Sequence, residues 1–352
     1  MDLEFFKQLL SFDSTSGRER EVAEWLFGHL EAPEKELMEV GDGTLNLLLR
    51  WPGDRSLDCA RDDKRGGARD DKRGVDRDDS VIFCTHMDTV PPYIAPRFTD
   101  DVIYGRGSCD AKGQILALYT ACKELEKRGK SGFGLLLLAG EETGSWGAKA
   151  FSRTPFRAKT LIIGEPTENR QVTASKGTKS YALTFHGEPF HSGYPQYGRS
   201  AVTLFQAFLN ELDAAGFPED PLLGPTTWNV GELRSDNPQN VLSPELRCRL
   251  YFRTTFASDA AVVAWMAAQA RPGLLDIEAR GGDEPRHYLA LEGLPQGPAS
   301  FGSDAPHLTG FSQKIICGPG SIRHAHRDDE QIALADMETA VKQYLVMYER
   351  LC

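Results

Sequence analysis

Three short apolar runs in the chain end abruptly on an acid or an imidazole: VIFCT before His86, GLLLLAG before Glu141 and Glu142, and TLIIG before Glu165. Unbroken runs of this length predict strands buried on both faces of a parallel sheet, and ligand sites in open α/β sheets gather beyond the carboxyl ends of such strands. Helical periodicity fills the intervals. Val22, Trp25, Leu26 and Leu30 share one face of a helix for which Ser16 and Glu19 form an S-x-x-E capping box. Ile115, Leu118, Tyr119, Cys122 and Leu125 make the stripe of a second helix, opened by Asp110 after a Pro- and Gly-rich loop. The alternation predicts an α/β fold, a mostly parallel sheet flanked by helices.

The rhythm changes from about Lys179 to His287. Strand SYALTFHG, helix SAVTLFQAFLNELDAAG, strand TTWNVGEL, strand ELRCRLYFRTT, helix DAAVVAWMAAQAR and strand LLDIEARGG follow one another in the β-α-β-β-α-β order of a ferredoxin-like unit. A KIICG strand and a helix from Ala333 to about Arg350 then return to the first pattern. The expected domains are 1–178 with 288–352, and an inserted 179–287. Residues 60–79 break the first pattern with a tandem ARDDKRGG-type repeat carrying seven bases and seven acids. With so few apolar side chains it is expected to be a disordered, low-complexity insertion, its charges cancelling within a few residues.

The 352 residues, 40% of them hydrophobic, suffice for an extensive core. A formal charge of -11 argues against a nucleic-acid or anionic-membrane partner, each of which attracts a basic surface, and leaves a small solute or a protein. MDLEFFKQLL lacks the segments of a secretory leader, and no stretch reaches the ~18 apolar residues of a bilayer span. Seven scattered cysteines, never spaced CxxC, fit a reducing compartment, so a soluble cytoplasmic protein is expected. Cys84 faces the same way as His86 along its strand and is expected to be buried and inert rather than a ligand.

His86 and Asp88 form an H-x-D pair, a spacing that lets the carboxylate hold one ring nitrogen while the other binds a metal. Glu141 and Glu142 follow an aliphatic run, where burial is unfavourable unless a cation or a proton compensates. Adjacent side chains point differently, so one can bind metal while the other serves as general base. Standing alone, such a histidine reads as a hydrogen-bonded structural residue and such a Glu-Glu pair as a solvated loop tip.

Taken together, HMDTVP, YGRGSCDAKG, AGEETGSWGA, IGEPT and GPGSIRHAHRDDE, in this order and spacing, resemble the acetylornithine deacetylase, succinyl-diaminopimelate desuccinylase and aminoacylase family of two-zinc amidohydrolases. The likeness spans nearly the whole chain except the Arg/Asp repeat. It implies a zinc exopeptidase-like catalytic domain with an inserted lid and dimerisation domain, and two Zn2+ per subunit that Co2+ can replace. It also implies that His86 and Glu165 serve one zinc, Glu142 and His326 the other, and that Asp110 bridges both. Glu141 is then the base, Asp88 the acid behind His86, and Asp110–Ala111 a cis peptide. His324 competes with His326, and the AH-x-x-DE pattern of Ala325, His326, Asp329 and Glu330 selects the latter. Four carboxylates against two divalent ions leave the cluster near neutral, and nitrogen and oxygen ligands without thiolate suit zinc.

The same resemblance implies that His191 in FHSGYP donates to the oxyanion in the neighbouring subunit of a homodimer. Lys176 with Gly177, Asn240, Arg253, and Gly302, Ser303 and Asp304 are implied parts of the substrate pocket. On local pattern alone His191 is an exposed loop residue and Arg253 a surface strand residue. The expected reaction is hydrolysis of an N-acyl amino acid, with N-acetylornithine-type deacetylation in arginine or lysine biosynthesis first. Succinyl-diaminopimelate desuccinylation and aminoacylase or dipeptidase action are alternatives, because the acyl pocket is set by contacts that sequence does not locate. An inactive binding module is the remote alternative, and the intact set of acids and histidines argues against it.

Overall fold

The three apolar runs form neighbouring strands of one sheet. Val81–His86 and Phe133–Leu138 are buried at every position, and Ala158–Ile163 over its last four. Val81–His86 lies between the other two and parallel to both, and Phe311–Ile316 adds a further parallel strand beside Ala158–Ile163. Thr44–Trp51 and Glu34–Gly41 extend the opposite edge antiparallel, which completes six strands. The register sets His86 beside Leu138 and Cys84 beside Ile163, so the carboxyl ends that lead to His86, Glu141, Glu142 and Glu165 open side by side.

The chain is seen here in a computed structural model that describes residues 1–41, 43–53 and 81–352. The Arg/Asp repeat at 60–79 lies outside the described residues. Two compact units are present: 1–173 with 288–297 and 303–352, and 174–287 with 298–302. The second unit thus takes in 174–178 and 298–302 as well as 179–287, and Gly302 and Ser303 fall in different units.

In the first unit, the helices Leu3–Ser11, Arg20–His29, Lys112–Lys127 and Leu334–Leu351 pack with the sheet into one core. Phe6, Leu26, Phe83, Ile115, Leu118, Cys122, Leu125 and Tyr344 are buried there, while Tyr119 is half-buried at its edge. Burial of each large apolar side chain contributes about 1.5–3 kcal/mol. The expected capping box does not form. Glu19 occupies the N-cap position of Arg20–His29 without a side-chain cap bond, and both Ser16 and Glu19 are engaged elsewhere.

The second unit is ferredoxin-like. Its sheet runs Thr227–Arg234, Glu245–Thr254, Gly177–His186, Leu275–Ala279, antiparallel throughout. Alternate residues of Glu245–Thr254 are buried, and with the helices Ala201–Asp213 and Asp259–Ala268 they enclose a separate core around Phe185, Phe208, Leu250, Phe252 and Met266. No helix among the described residues is long and apolar enough to cross a membrane.

Candidate metal centre

His86, the last residue of its strand, is buried. Its Nδ1 lies 3.0 Å from the main-chain oxygen of Asp88. A carbonyl only accepts, so Nδ1 donates there, and Nε2 is the nitrogen that holds a lone pair whenever the ring is neutral. Nε2 faces Asp110 Oδ1 at 3.0 Å. The other oxygen, Asp110 Oδ2, faces His326 Nε2 at 3.3 Å, and that nitrogen also lies 2.9 Å from Glu142 Oε1. Asp110 therefore presents one oxygen to each of two imidazoles. Ligand atoms of His86, Asp110 and Glu142 all lie within 4.8 Å of one another. Asp110–Ala111 is a cis peptide, and Lys112 begins the helix that follows.

Glu165, buried, and Glu141, half-buried, bring further acids to these groups. Burial pushes the carboxyls of Glu141 and Glu165 well up, and the charges of Asp304 and Glu142 push in the same direction. Glu142 is raised first by burial and then by Asp110. Burial likewise lifts Asp304 to about 6, and its Oδ1 is buried with no hydrogen-bond partner among the described residues. The opposing groups are the imidazoles. Hydrogen bonds to Asp110 and Glu142 raise His326 to about 10. Burial of His86 disfavours its charge, but Asp110 and Asp88 outweigh that and raise it; burial of Asp110 is likewise outweighed by the two histidines, which hold its carboxyl below the usual range. Most of these acids are buried, while His326 is half exposed at the edge of the group, and a partly desolvated cluster with more acids than bases is the environment that a divalent cation relieves. The donors are imidazole and carboxylate. Cys84 is not among them, because burial holds its thiol neutral.

Asp88 does not act only through its carboxylate on His86, as the H-x-D spacing suggests, since the ring's nearest partner is the Asp88 carbonyl and Oδ1 is 3.4 Å away. The carboxylate instead organises the loop of the two glutamates. Oδ1 accepts the Glu141 N–H at 3.0 Å, and Oδ2 accepts the Glu142 N–H at 3.1 Å and the Ser16 hydroxyl at 2.7 Å. Glu19, fully buried, accepts the N–H of Gly140 at 3.1 Å and of Gly17 at 2.7 Å. On the other side Glu330 Oε1 accepts the N–H groups of Cys109 and Asp110, while Oε2 pairs with Arg106 at 2.6 Å. Arg106 also donates to the Arg327 carbonyl, next to His326. The sequence assigned Ser16 and Glu19 to a helix cap and gave no role to Arg106, and Glu330 entered only as part of a pattern. The one available signal, the S-x-x-E spacing, points equally to a local cap.

His324 turns away: its Nδ1 lies 3.3 Å from Gln331 Nε2, and the ring lines a separate cavity with Glu168 and Asp336. Ser303 is buried, its hydroxyl accepting the Ala305 N–H. In the second unit His191 and Asn240 are exposed neighbours, with Ser192 N–H donating to the Asn240 carbonyl and His191 bridged to Val241. Arg253 packs over the Tyr251 ring, 5.0 Å from its centroid, and Gly302 borders its guanidinium. Burial, helped by the charge of Arg253, lowers the pKa of Lys176, whose Nζ donates to the Pro225 carbonyl. Gly177 lies against Asp283 and Pro285, which leave no room for a side chain.

The family model described as peptidase family M20/M25/M40 matches residues 82–350. A probable carboxypeptidase from Neosartorya fischeri is 30% identical over 391 aligned residues, covering 97% of this chain and 84% of that protein. A tripeptidase from Staphylococcus aureus superposes with a TM-score of 0.75 at 16% identity, covering 99% of this chain and 97% of the other. An M20 family metallo-carboxypeptidase from Sulfolobus solfataricus gives 0.71 at 17% identity, with 98% of each chain covered. The chain belongs to peptidase family M20/M25/M40.

Proposed function

We propose that this M20 family hydrolase cleaves an amide bond next to a free carboxylate, releasing the C-terminal amino acid of a short peptide or of an N-acyl amino acid. The observation that carries the reading is Asp110, with one oxygen facing His86 and the other facing His326 and its neighbour Glu142. His86, Glu165 and Asp110 would hold one divalent ion, and Glu142, His326 and Asp110 a second, zinc by the donor set with cobalt able to substitute. Two such ions supply polarisation of the scissile carbonyl and a lowered pKa for the attacking water. Glu141 takes the proton of that water and returns it to the leaving amine, a role suited to a half-buried carboxyl whose pKa is raised by desolvation. Arg253 and Lys176 offer cationic groups for the substrate carboxylate, with Asn240 and Gly302 as further contacts.

The name of the Neosartorya relative favours a peptide over an acylated amino acid. Deacetylation of N-acetylornithine, N-acetylcitrulline or N-acetyl-lysine, and desuccinylation of succinyl-diaminopimelate, are the same reaction with an acyl group in place of the N-terminal residue. Exposed His191, beside exposed Phe190, Tyr194 and Tyr197, suits a donor role toward a second copy of the chain, which sedimentation of the purified protein tests. The central experiment measures metal per chain and amine release from dipeptides with free and amidated C-termini and from the four acylated substrates, with Glu141→Ala as control. About two metal ions per chain and hydrolysis abolished in the variant are expected. Absence of both metal and hydrolysis would leave a binding module instead.

A further inference from the structure

The N-terminal turn Ser16–Glu19 is built into the candidate site although it contributes no ligand. It is strapped to the strand end by the Ser14 hydroxyl on the Met87 carbonyl, by Ser16 N–H on the Thr89 carbonyl and by Thr89 N–H on the Ser14 carbonyl. From there Glu19 reaches across 121 residues of sequence to the N–H of Gly140, and Ser16 reaches Asp88, which holds the next two N–H groups of the same loop. Three consecutive main-chain N–H groups, of Gly140, Glu141 and Glu142, thus end on two carboxylates. Gly140 has φ +67°, a left-handed conformation that glycine tolerates and that external anchors must hold in register.

Glu19 is also an expensive way to anchor a loop. It is fully buried, no cation is paired with it among the described residues, and burial together with the nearby charge of Asp88 works against its ionisation. An uncharged side chain could accept one N–H at lower desolvation cost. A carboxylate can accept two at once from opposite sides, here Gly17 and Gly140, and so ties the turn and the loop together through one rigid group.

We propose that Glu19 and Ser16 are positioning residues for the general base, fixing the Gly140–Glu141–Glu142 loop so that the Glu141 carboxylate meets the attacking water. This rests on the role given to Glu141 above. A base misplaced by a fraction of an ångström loses rate while substrate binding, made by other residues, persists.

The test uses the metal-loaded protein with Glu19→Gln, Ser16→Ala and Ser16→Thr, reading metal per chain, kcat and KM on the best substrate. Glu19→Gln and Ser16→Ala should keep the wild-type metal content and KM and lose about 10–100-fold in kcat, the usual effect of removing an outer hydrogen-bond partner. Ser16→Thr, which keeps the hydroxyl, should recover most of the rate. Unchanged kcat, or a rate that falls only in proportion to lost metal, would overturn the proposal. If Glu19→Gln does not fold, the Ser16 pair decides alone, since a hydroxyl deletion at a half-buried position leaves the core intact. A wild-type protein that hydrolyses nothing overturns the functional reading itself and this inference with it, a result distinct from active wild type with indifferent variants.

Discussion

Replacing Glu330 by glutamine removes one charge from a pair in which Arg106 is 2% exposed and the glutamate side chain 0%. Oε1 of the new amide can still accept the N–H groups of Cys109 and Asp110, but its NH2 then faces the Arg106 Nη1 that Oε2 met at 2.6 Å. Two donors oppose each other, and among the described residues the guanidinium keeps the Pro92 and Arg327 carbonyls as its partners in the interior. Breaking a buried pair in this way costs about 3–5 kcal/mol. In a unit of this size that lowers Tm by roughly 6–20 °C. The loss should be the same at low salt and at about 1 M salt, because a buried pair is poorly screened. Arg106→Met added to Glu330→Gln should recover most of it, since the stranded charge goes with the arginine. Scanning calorimetry of the three proteins is the assay. A fall of less than about 2 °C for the single variant, or no recovery in the double, would show that the pair does not anchor the Asp110 loop.

Metal affinity should depend on pH through His326, which Asp110 and Glu142 lift to about 10 and which must shed its proton to coordinate. Apparent affinity should rise about tenfold per unit between pH 7 and 9 by chelator competition, and a flat response would refute the assignment. In the metal-free protein the sign is opposite: a histidine raised from 6.5 to about 10 stabilises below the lower value, and the contribution is lost as pH climbs through the upper. His326→Ala should lose metal while His324→Ala keeps it; the reverse would transfer the role to His324. Lys112, buried and lowered to about 7 chiefly by desolvation, acts the other way, because the unfolded chain holds its proton up to 10.5 and stability gains as pH rises between the two values. Lys112→Met should flatten that slope in thermal melts. Gly147→Ala should destabilise by about 1–3 kcal/mol, since an added Cβ overlaps Asn46 Oδ1 and lies 2.5 Å from the Ala139 carbonyl; a change under about 0.5 kcal/mol would argue against this packing.

The parts of the site that were legible in sequence are those whose signal is local. A strand buried on both faces must be apolar throughout, so the point where polarity returns marks its carboxyl end, and His86, Glu141, Glu142 and Glu165 stand at three such points. The ferredoxin-like unit was legible from the order of its segments, strand and helix following one another as β-α-β-β-α-β. What holds the acids in place is not local. Arg106 meets Glu330 across 224 residues and Glu19 meets Gly140 across 121, and no periodicity connects residues so far apart. Ser16 and Glu19 show how the ambiguity arises. The groups that make a helix cap, a hydroxyl and a carboxylate able to accept N–H, are the groups that brace a loop, and spacing alone assigns them to the nearer donor. Only the fold brings Gly140 within reach of Glu19 and Asp88 within reach of Ser16. A buried acid then has to be explained by the N–H groups it accepts, and in this chain those belong to the loop carrying Glu141.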